Sequence, residues 1–342
     1  MHLPTLTRAH ACPLPHAKRH ALTRTLRAAL LLALPLLGTA HAQGYPNRPV
    51  TIIVPVAPAG ILDQVTRIVS PTLGTALGQQ VVVENRAGAS GNIGATAVAR
   101  SKPDDYTLLT GYSMFHVGNP VMFKDIQWDP VKDFTPVAML VVAPHVVAVN
   151  TSLPYQTLKE LFDYARANPG KLNYATSGNG SVPHVGMELV KQTLKLDITH
   201  VPYKGAGPGV QDVIAGNVQM TVATPPSVVS FVKAGRLRAL AIAARNRLDV
   251  LPDVPTTAQA GFPGVEMEAW VAFFAPAGTP PDVVNKLSAA VKQTLENPEV
   301  MKSANGVGAE IRYMTPPQLD AQVRKDIGYW QPVIRNAKIS ID

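Results

Sequence analysis

Residues 50–56 (VTIIVPV) are apolar nearly throughout, as a strand buried on both faces requires. A helical pattern follows at once. Leu62, Val65, Val69, Leu73 and Leu77 fall near the spacing of one helix face, and Gly78 ends it. This alternation of short β-rich runs and helical runs continues along the chain and constrains the fold more than any other feature. Further strands are read over 81–83, 107–110, 145–149, 172–176, 198–203, 218–223, 237–243 and 270–275. Helices are read over 95–100, 210–215 and 228–232. Others are read on the faces marked by Leu158, Leu161, Phe162 and Ala165, by Met187, Val190 and Leu194, by Val284, Leu287, Val291 and Leu295, and by Leu319, Val323, Ile327 and Val333. Such alternation predicts an α/β fold with largely parallel sheets. No long linker, low-complexity tract or fixed-period repeat interrupts it. A two-domain chain therefore has to cross between domains inside regular structure, near 144–150 and 264–275. That places 43–145 with 265–342 in one domain and 146–264 in the other.

Residues 1–42 are read as lying outside the fold. They carry Arg8, Lys18, Arg19, Arg24 and Arg27 and no acid, then an apolar run over 28–37 closed by Ala40-His41-Ala42. A basic region, a short apolar core and an A-x-A site make a secretory signal peptide, with export and cleavage before Gln43 expected. The run is too short to span a bilayer. Removal takes away Cys12, the one cysteine, so disulfides and thiol chemistry are excluded from the exported chain. The formal charge of +8 loses five basic residues and becomes +3. That is an ordinary surface for a soluble protein and not a nucleic-acid footprint. His116, His145, His184 and His200 remain, with no H-x-x-x-H pair, so no metal and no cofactor is expected. About 300 residues are enough for two cores.

Ligands of α/β sheets bind where strand carboxyl ends feed helix N-termini, and four loops combine that position with unusual composition. In VAPAGILD (56–63), Pro58 and Gly60 fix a tight turn; Asp63 is either a helix N-cap or a residue that orders a loop whose N–H groups face a ligand. RAGASGNIG (86–94) holds G-x-x-G-x-x-G. That is not the dinucleotide spacing, and no ribose-binding acid follows, so it reads as a tight loop or helix start. SGNGSVPH (177–184) has neither the nucleophile-elbow order nor a Walker lysine. It reads as a glycine-permitted turn opening a helix, whose free amides attract a carboxylate. In VPYKGAGPG (201–209), Tyr203 offers a ring or hydroxyl and Lys204 a charge at the rim or a solvated side chain. Thr224, in the Ala223-Thr224-Pro225-Pro226 turn, closes the same side. These neutral donors suit a clamp on a small anion held by amides, hydroxyls and waters.

Several motifs in order are similar to those of the periplasmic substrate-binding proteins of tripartite tricarboxylate transporters, the Bug family. They are Tyr45-Pro46-Asn47-Arg48-Pro49-Val50, VVVENRAGASGNIGA (81–95), DYTLLTG (105–111), WDPVKDFTPVA (128–138), ANPGKLNYATSGNGS (167–181), HVPYKGAGPGVQDVIAGNVQM (200–220), KAGRLRALA (233–241), LPDVPT (251–256) and APAGTP (275–280). The resemblance implies a two-domain Venus-flytrap fold, each domain a mostly parallel sheet flanked by helices, that closes on one organic acid for uptake by the transporter's membrane subunits. No reaction is implied, and the chain is read as a monomer.

In the family, two loops grip a ligand carboxylate. Carried over, the first is Pro58, Ala59, Gly60, Ile61, Leu62 and Asp63, and the second is Ser177, Gly178, Asn179, Gly180 and Ser181, with His184 beside it. Ser113 and His116, after the 107–110 strand, complete the candidate set with Tyr203, Lys204 and Thr224. The first loop departs from the family: Ala59 stands for a second glycine, and Ile61 and Leu62 for small hydroxyl residues. If Ile61 or Leu62 faces the cleft, an apolar or aromatic acid is favoured over citrate; the alternative is core packing. Asp105 stands for a glycine at a surface turn. Phe115 and Trp270 are candidates for an aromatic wall, with core packing again the alternative. Two other readings stay open: a ligand-loaded sensor for a receptor kinase, and an exported hydrolase using Ser181 and His184.

Overall fold

The computed structural model describes residues 44–58, 60–103 and 106–341. The signal-peptide reading, Ala59 and Asp105 lie outside the described residues. The elements are β1 (Val50–Val54), α1 (Ile61–Leu77), β2 (Val81–Asn85), α2 (Asn92–Ala99), β3 (Thr107–Tyr112), α3 (Ser113–Met122), β4 (Phe134–Ala143) and β5 (Val146–Asn150). Next come α4 (Leu158–Ala167), β6 (Leu172–Thr176), α5 (Val182–Leu194), β7 (Ile198–Pro202), α6 (Ala206–Ala215), β8 (Met220–Ala223), α7 (Pro225–Lys233) and β9 (Leu237–Ile242). The chain closes with β10 (Ala269–Pro276), α8 (Pro281–Leu295), α9 (Pro298–Gly306), β11 (Glu310–Met314) and α10 (Pro316–Asn336).

The strands form two sheets, ordered β11-β4-β10-β3-β1-β2 and β7-β6-β8-β5-β9. Both are mixed, where mostly parallel sheets were expected. β1 pairs in parallel with β2 and β3, but β10 runs against β3 and β4, and β11 against β4. In the second sheet β6 is parallel to β7 and β8, while β5 runs against β8 and β9. The reversed strands β5 and β10 are the ones by which the chain passes between sheets. β4 ends at Ala143 and β5 begins at Val146, so no helical crossover intervenes to turn the chain round.

These passing strands lie deep: every residue of β5 and of β10 is buried. β4 escapes the sequence reading because Pro136 interrupts it. The structure accommodates Pro136 opposite Phe274, beside a register shift in the β4–β10 ladder. The first core is aromatic. Trp128, Phe134, Trp270 and Phe274 surround the His116 ring, whose centroid stacks 4.2 Å from Phe274. The second core is aliphatic and small, with Val146, Ala175, Val210, Val213 and Val228.

The G-x-x-G-x-x-G run brings α2 against the end of β1. A Cβ at Gly94 would stand 2.9 Å from the Cα of Pro55 and 3.0 Å from the Arg86 carbonyl oxygen, and Gly91 has φ +88°. By contrast, Gly328 lies at an exposed position of α10 with nothing near its missing Cβ. One substitution should therefore act in opposite senses. Gly94→Ala is expected to destabilise by about 1–3 kcal/mol through forced backbone shifts. Gly328→Ala should stabilise by about 0.5–1 kcal/mol through helix propensity. Chemical denaturation of the two variants checks the pair; equal effects would contradict the close approach.

Candidate functional site

Four helices begin on one cleft of about 450 Å³. Gly60 precedes α1, Ser181 precedes α5, Gly205 precedes α6 and Thr224 precedes α7, and all four line the cavity. Each helix follows the carboxyl end of a strand. None of the four has its N-terminus capped by the side chain of its cap residue. Orphan N–H groups and the positive ends of the helix dipoles thus face the cavity. The donors are unevenly shared: α7 starts Pro225-Pro226 and offers hydroxyls, Thr224 and Ser227, in place of amides. None of the described lining residues is Lys, Arg, Asp or Glu. Two larger hollows, of about 760 and 590 Å³, lie beside α1 and β2 and among β4, β11, α10 and the connection from β9 to β10. None of the four helix starts opens on either.

The first loop is held from behind. Asp63 is buried at the third position of α1, so it is not an N-cap; Gly60 occupies that place. Its Oδ1 accepts from Asn85 Nδ2 at 2.9 Å and from Arg67 Nε at 2.9 Å. Asn85 Nδ2 also donates to the Val56 carbonyl at 3.0 Å, closing the loop onto β2. Asp63 therefore orders the loop and is not among the residues lining the cleft. Ile61 and Leu62 do line it, and Pro58 is exposed outside it.

The second loop rests on two stacked imidazoles. The rings of His184 and His200 lie 3.9 Å apart with 12° between planes. The Gly180 N–H donates to His184 Nδ1 at 3.0 Å, so the His184 proton sits on Nε2. His200 Nε2 pairs with the Thr176 hydroxyl at 2.7 Å, and Thr176 Oγ1 in turn accepts from the Gly178 N–H at 3.2 Å. The Gly205 N–H donates to the Ser177 carbonyl at 3.2 Å and joins this loop to the start of α6. Ser181 Oγ donates to the Gly178 carbonyl at 2.7 Å. Ser181 and His184 thus each have other partners, and no nucleophile–base pair exists here. Among the described residues no group of three or more His, Cys, Asp or Glu side chains could hold a metal ion.

Of the residues expected from sequence, Gly60, Ile61, Leu62, Ser177, Asn179, Ser181 and Thr224 come together on the cleft. Gly178, Gly180 and His184 shape the second loop from behind. Tyr203 turns its hydroxyl to Asp212 Oδ2 at 2.5 Å and lies against Gly209, so it braces α6. Lys204 is exposed and off the lining. His116 is a correction: it is buried in the aromatic core, its Nε2 donating to the Pro130 carbonyl at 3.0 Å. Ser113 is buried and also off the cleft, as is Trp270, whose Nε1 donates to Asp326 at 2.7 Å.

The lining residues the sequence reading missed include Tyr112, His145, Ser90 and Gln64. Tyr112 was missed because β3 runs two residues past the strand as read, which places it at the carboxyl end. Its ring lies 5.2 Å from Phe115, which does line the cleft. Ser90 is held in a left-handed conformation (φ 50°) by Asn119, whose Nδ2 donates to its carbonyl at 2.9 Å.

Burial holds all four described imidazoles below their usual pKa of 6.5: His116, His145 and His184 at about 4 and His200 at about 3. For His200, the neighbouring His184 and Lys191 add to the lowering. The unfolded chain takes up these protons near pH 6.5 and the native chain only near 4, so stability falls as pH falls through that window. The denaturation midpoint should drop steadily between pH 7 and 5, where carboxylates stay ionised. His200→Gln should give a shallower slope; an unchanged slope would contradict the buried neutral ring.

The family model described as "Tripartite tricarboxylate transporter family receptor" matches residues 65–339. Protein BugT of Bordetella pertussis is 36% identical over 296 residues, covering 86% of this chain and 90% of the relative. Among solved structures, an R. palustris protein solved with adipate superposes with a TM-score of 0.77 at 35% identity, covering 86% of this chain and 99% of that one. MatC from Rhodopseudomonas palustris with bound malate gives 0.73 at 36% identity, covering 85% and 100%. Sequence motifs, two-domain α/β architecture and an uncharged cleft between strand ends agree with these likenesses. The chain belongs to the tripartite tricarboxylate transporter receptor family, the Bug-type periplasmic solute-binding proteins, which bind and do not transform their ligands.

Proposed function

We propose that this protein captures a small organic carboxylate in the periplasm and delivers it to the membrane subunits of a tripartite transporter. The observation that carries the reading is the convergence of four helix starts on one cleft whose described lining has no charged side chain. Positive dipole ends and orphan amides favour an anion there, and no basic side chain competes for the role. The relatives solved with adipate and malate support the same ligand class.

Capture proceeds by hinge closure. Residues 43–145 with 265–342 move as one body against 146–264, and ligand favours the closed arrangement through contacts with both loops. Ile61, Leu62, Tyr112 and Phe115 give the cleft an apolar side, which suits a ligand with an apolar or aromatic body.

Calorimetric titration and thermal denaturation with adipate, malate, benzoate and 3-phenylpropanoate, each beside its primary amide, test this. A carboxylate binding in the micromolar range should stabilise by about 4 kcal/mol at millimolar concentration, and its amide should not. Ile61→Ser should weaken an aromatic acid several-fold, about 1 kcal/mol of lost apolar contact, and leave malate unchanged. Equal binding of acid and amide would overturn the reading.

A further inference from the structure

His145 lies on the short passage between β4 and β5, at the floor of the cleft. Three segments of chain, on the two passes between the sheets, meet there. The Ala243 N–H donates to the His145 carbonyl at 2.8 Å, and the Met267 N–H to the Ala243 carbonyl at 2.8 Å. His145 Nδ1 stands 2.7 Å from the Met267 carbonyl oxygen. A carbonyl only accepts, so Nδ1 carries the proton and the tautomer is fixed. The residue is 2% exposed, and burial holds its pKa near 4, so at neutral pH the ring is uncharged. Nε2 is then a bare lone pair. Among the described residues it has no hydrogen-bond partner, although the residue lines the cavity.

This group differs in kind from the other polar groups around it. The helix-start amides can only donate. The hydroxyls of Ser177, Ser181 and Thr224 and the amide of Asn179 can turn to donate or accept. Nε2 of His145 can only accept. A carboxylate oxygen set against it would leave two acceptors facing each other, each unpaired. A hydroxyl or N–H would satisfy it.

We infer that His145 is a specificity-determining residue whose Nε2 accepts a hydrogen bond from the bound acid, and that the ligand is a monocarboxylate with an apolar or aromatic body bearing a hydroxyl or N–H donor. This rests on the carboxylate reading above and narrows it. The carboxylate is held at the helix starts, the body lies along Tyr112, Phe115 and Ile61, and the donor reaches the floor. The same ring ties the passage to Met267, so the donor is read at the place where the two sheets are joined.

The test titrates the three hydroxybenzoates and 3-phenyllactate, each against its deoxy acid and its methyl ether. At least one hydroxy acid should bind about tenfold or more tightly than both counterparts, because a buried acceptor left unpaired rejects the analogue without the donor. His145→Asn places an amide N–H near the position of Nδ1, keeping the bond to Met267, and withdraws Nε2. In that variant the preference should fall to about onefold, because the hydroxy acid loses its acceptor and no unpaired acceptor penalises the deoxy acid. If the acids bind but no hydroxy acid is preferred, or the preference survives in His145→Asn, the role of His145 is overturned and the carboxylate reading stands. If no acid binds and none stabilises the protein, the carboxylate reading itself fails, and this inference with it. The wild-type comparison decides by itself should the variant not fold.

Discussion

The architecture hangs on two strands that run against the grain of the sheets they enter. β5 arrives from the first sheet across Pro144 and His145, and β10 returns from the second through Met267. Neither is preceded by a helical crossover, so each enters antiparallel to its neighbours in the sheet it joins. Both are buried along their whole length. The two passes are held together by backbone hydrogen bonds, from the Ala243 N–H to the His145 carbonyl and from the Met267 N–H to the Ala243 carbonyl, in a setting where an unpaired N–H or C=O is costly. Motion that preserves those bonds is rotation about the passes. A clamp closing around a ligand is consistent with that restriction.

The cleft's electrostatics follow from the same layout. Strands that deliver helices from their carboxyl ends aim the helix starts at the space between the sheets. In most proteins a Ser, Thr or Asp side chain would fold back and cap each start. Here Gly60 and Gly205 have no side chain to do so, and Ser181 spends its hydroxyl on the Gly178 carbonyl. The donors stay available, and the field is positive without a fixed cation. Such a site can accept an anion without the desolvation cost of a buried guanidinium.

The histidines show how one residue type serves several structural ends when kept neutral. His116 fills an aromatic core, and the His184–His200 stack props the second loop through Gly180 and Thr176. His145 fastens the passage between sheets. In each case burial suppresses the charge, and a hydrogen bond orients the ring. No proton transfer is needed from any of them.

What the chain's own pattern determined was the element alternation, the identity of two loops that line the cleft, and the family. Strand runs such as Leu172–Thr176 and helix faces such as that of α1 follow from local periodicity and glycine stops, which are properties of neighbours in sequence. Ile61, Ser177 and Ser181 could be placed on a cleft because loops at strand carboxyl ends obey a general rule. Tertiary structure alone decided the rest. Strand direction depends on whether a connection crosses between sheets, and periodicity does not record that. His116 and Trp270 resemble cleft residues in composition, but long-range packing puts them in a core. Tyr112 and His145 resemble strand interior, but the ends of β3 and β4 carry them to the cleft. Burial and partners come from residues far apart in the chain, as with Met267 beside His145, so no local reading contains them.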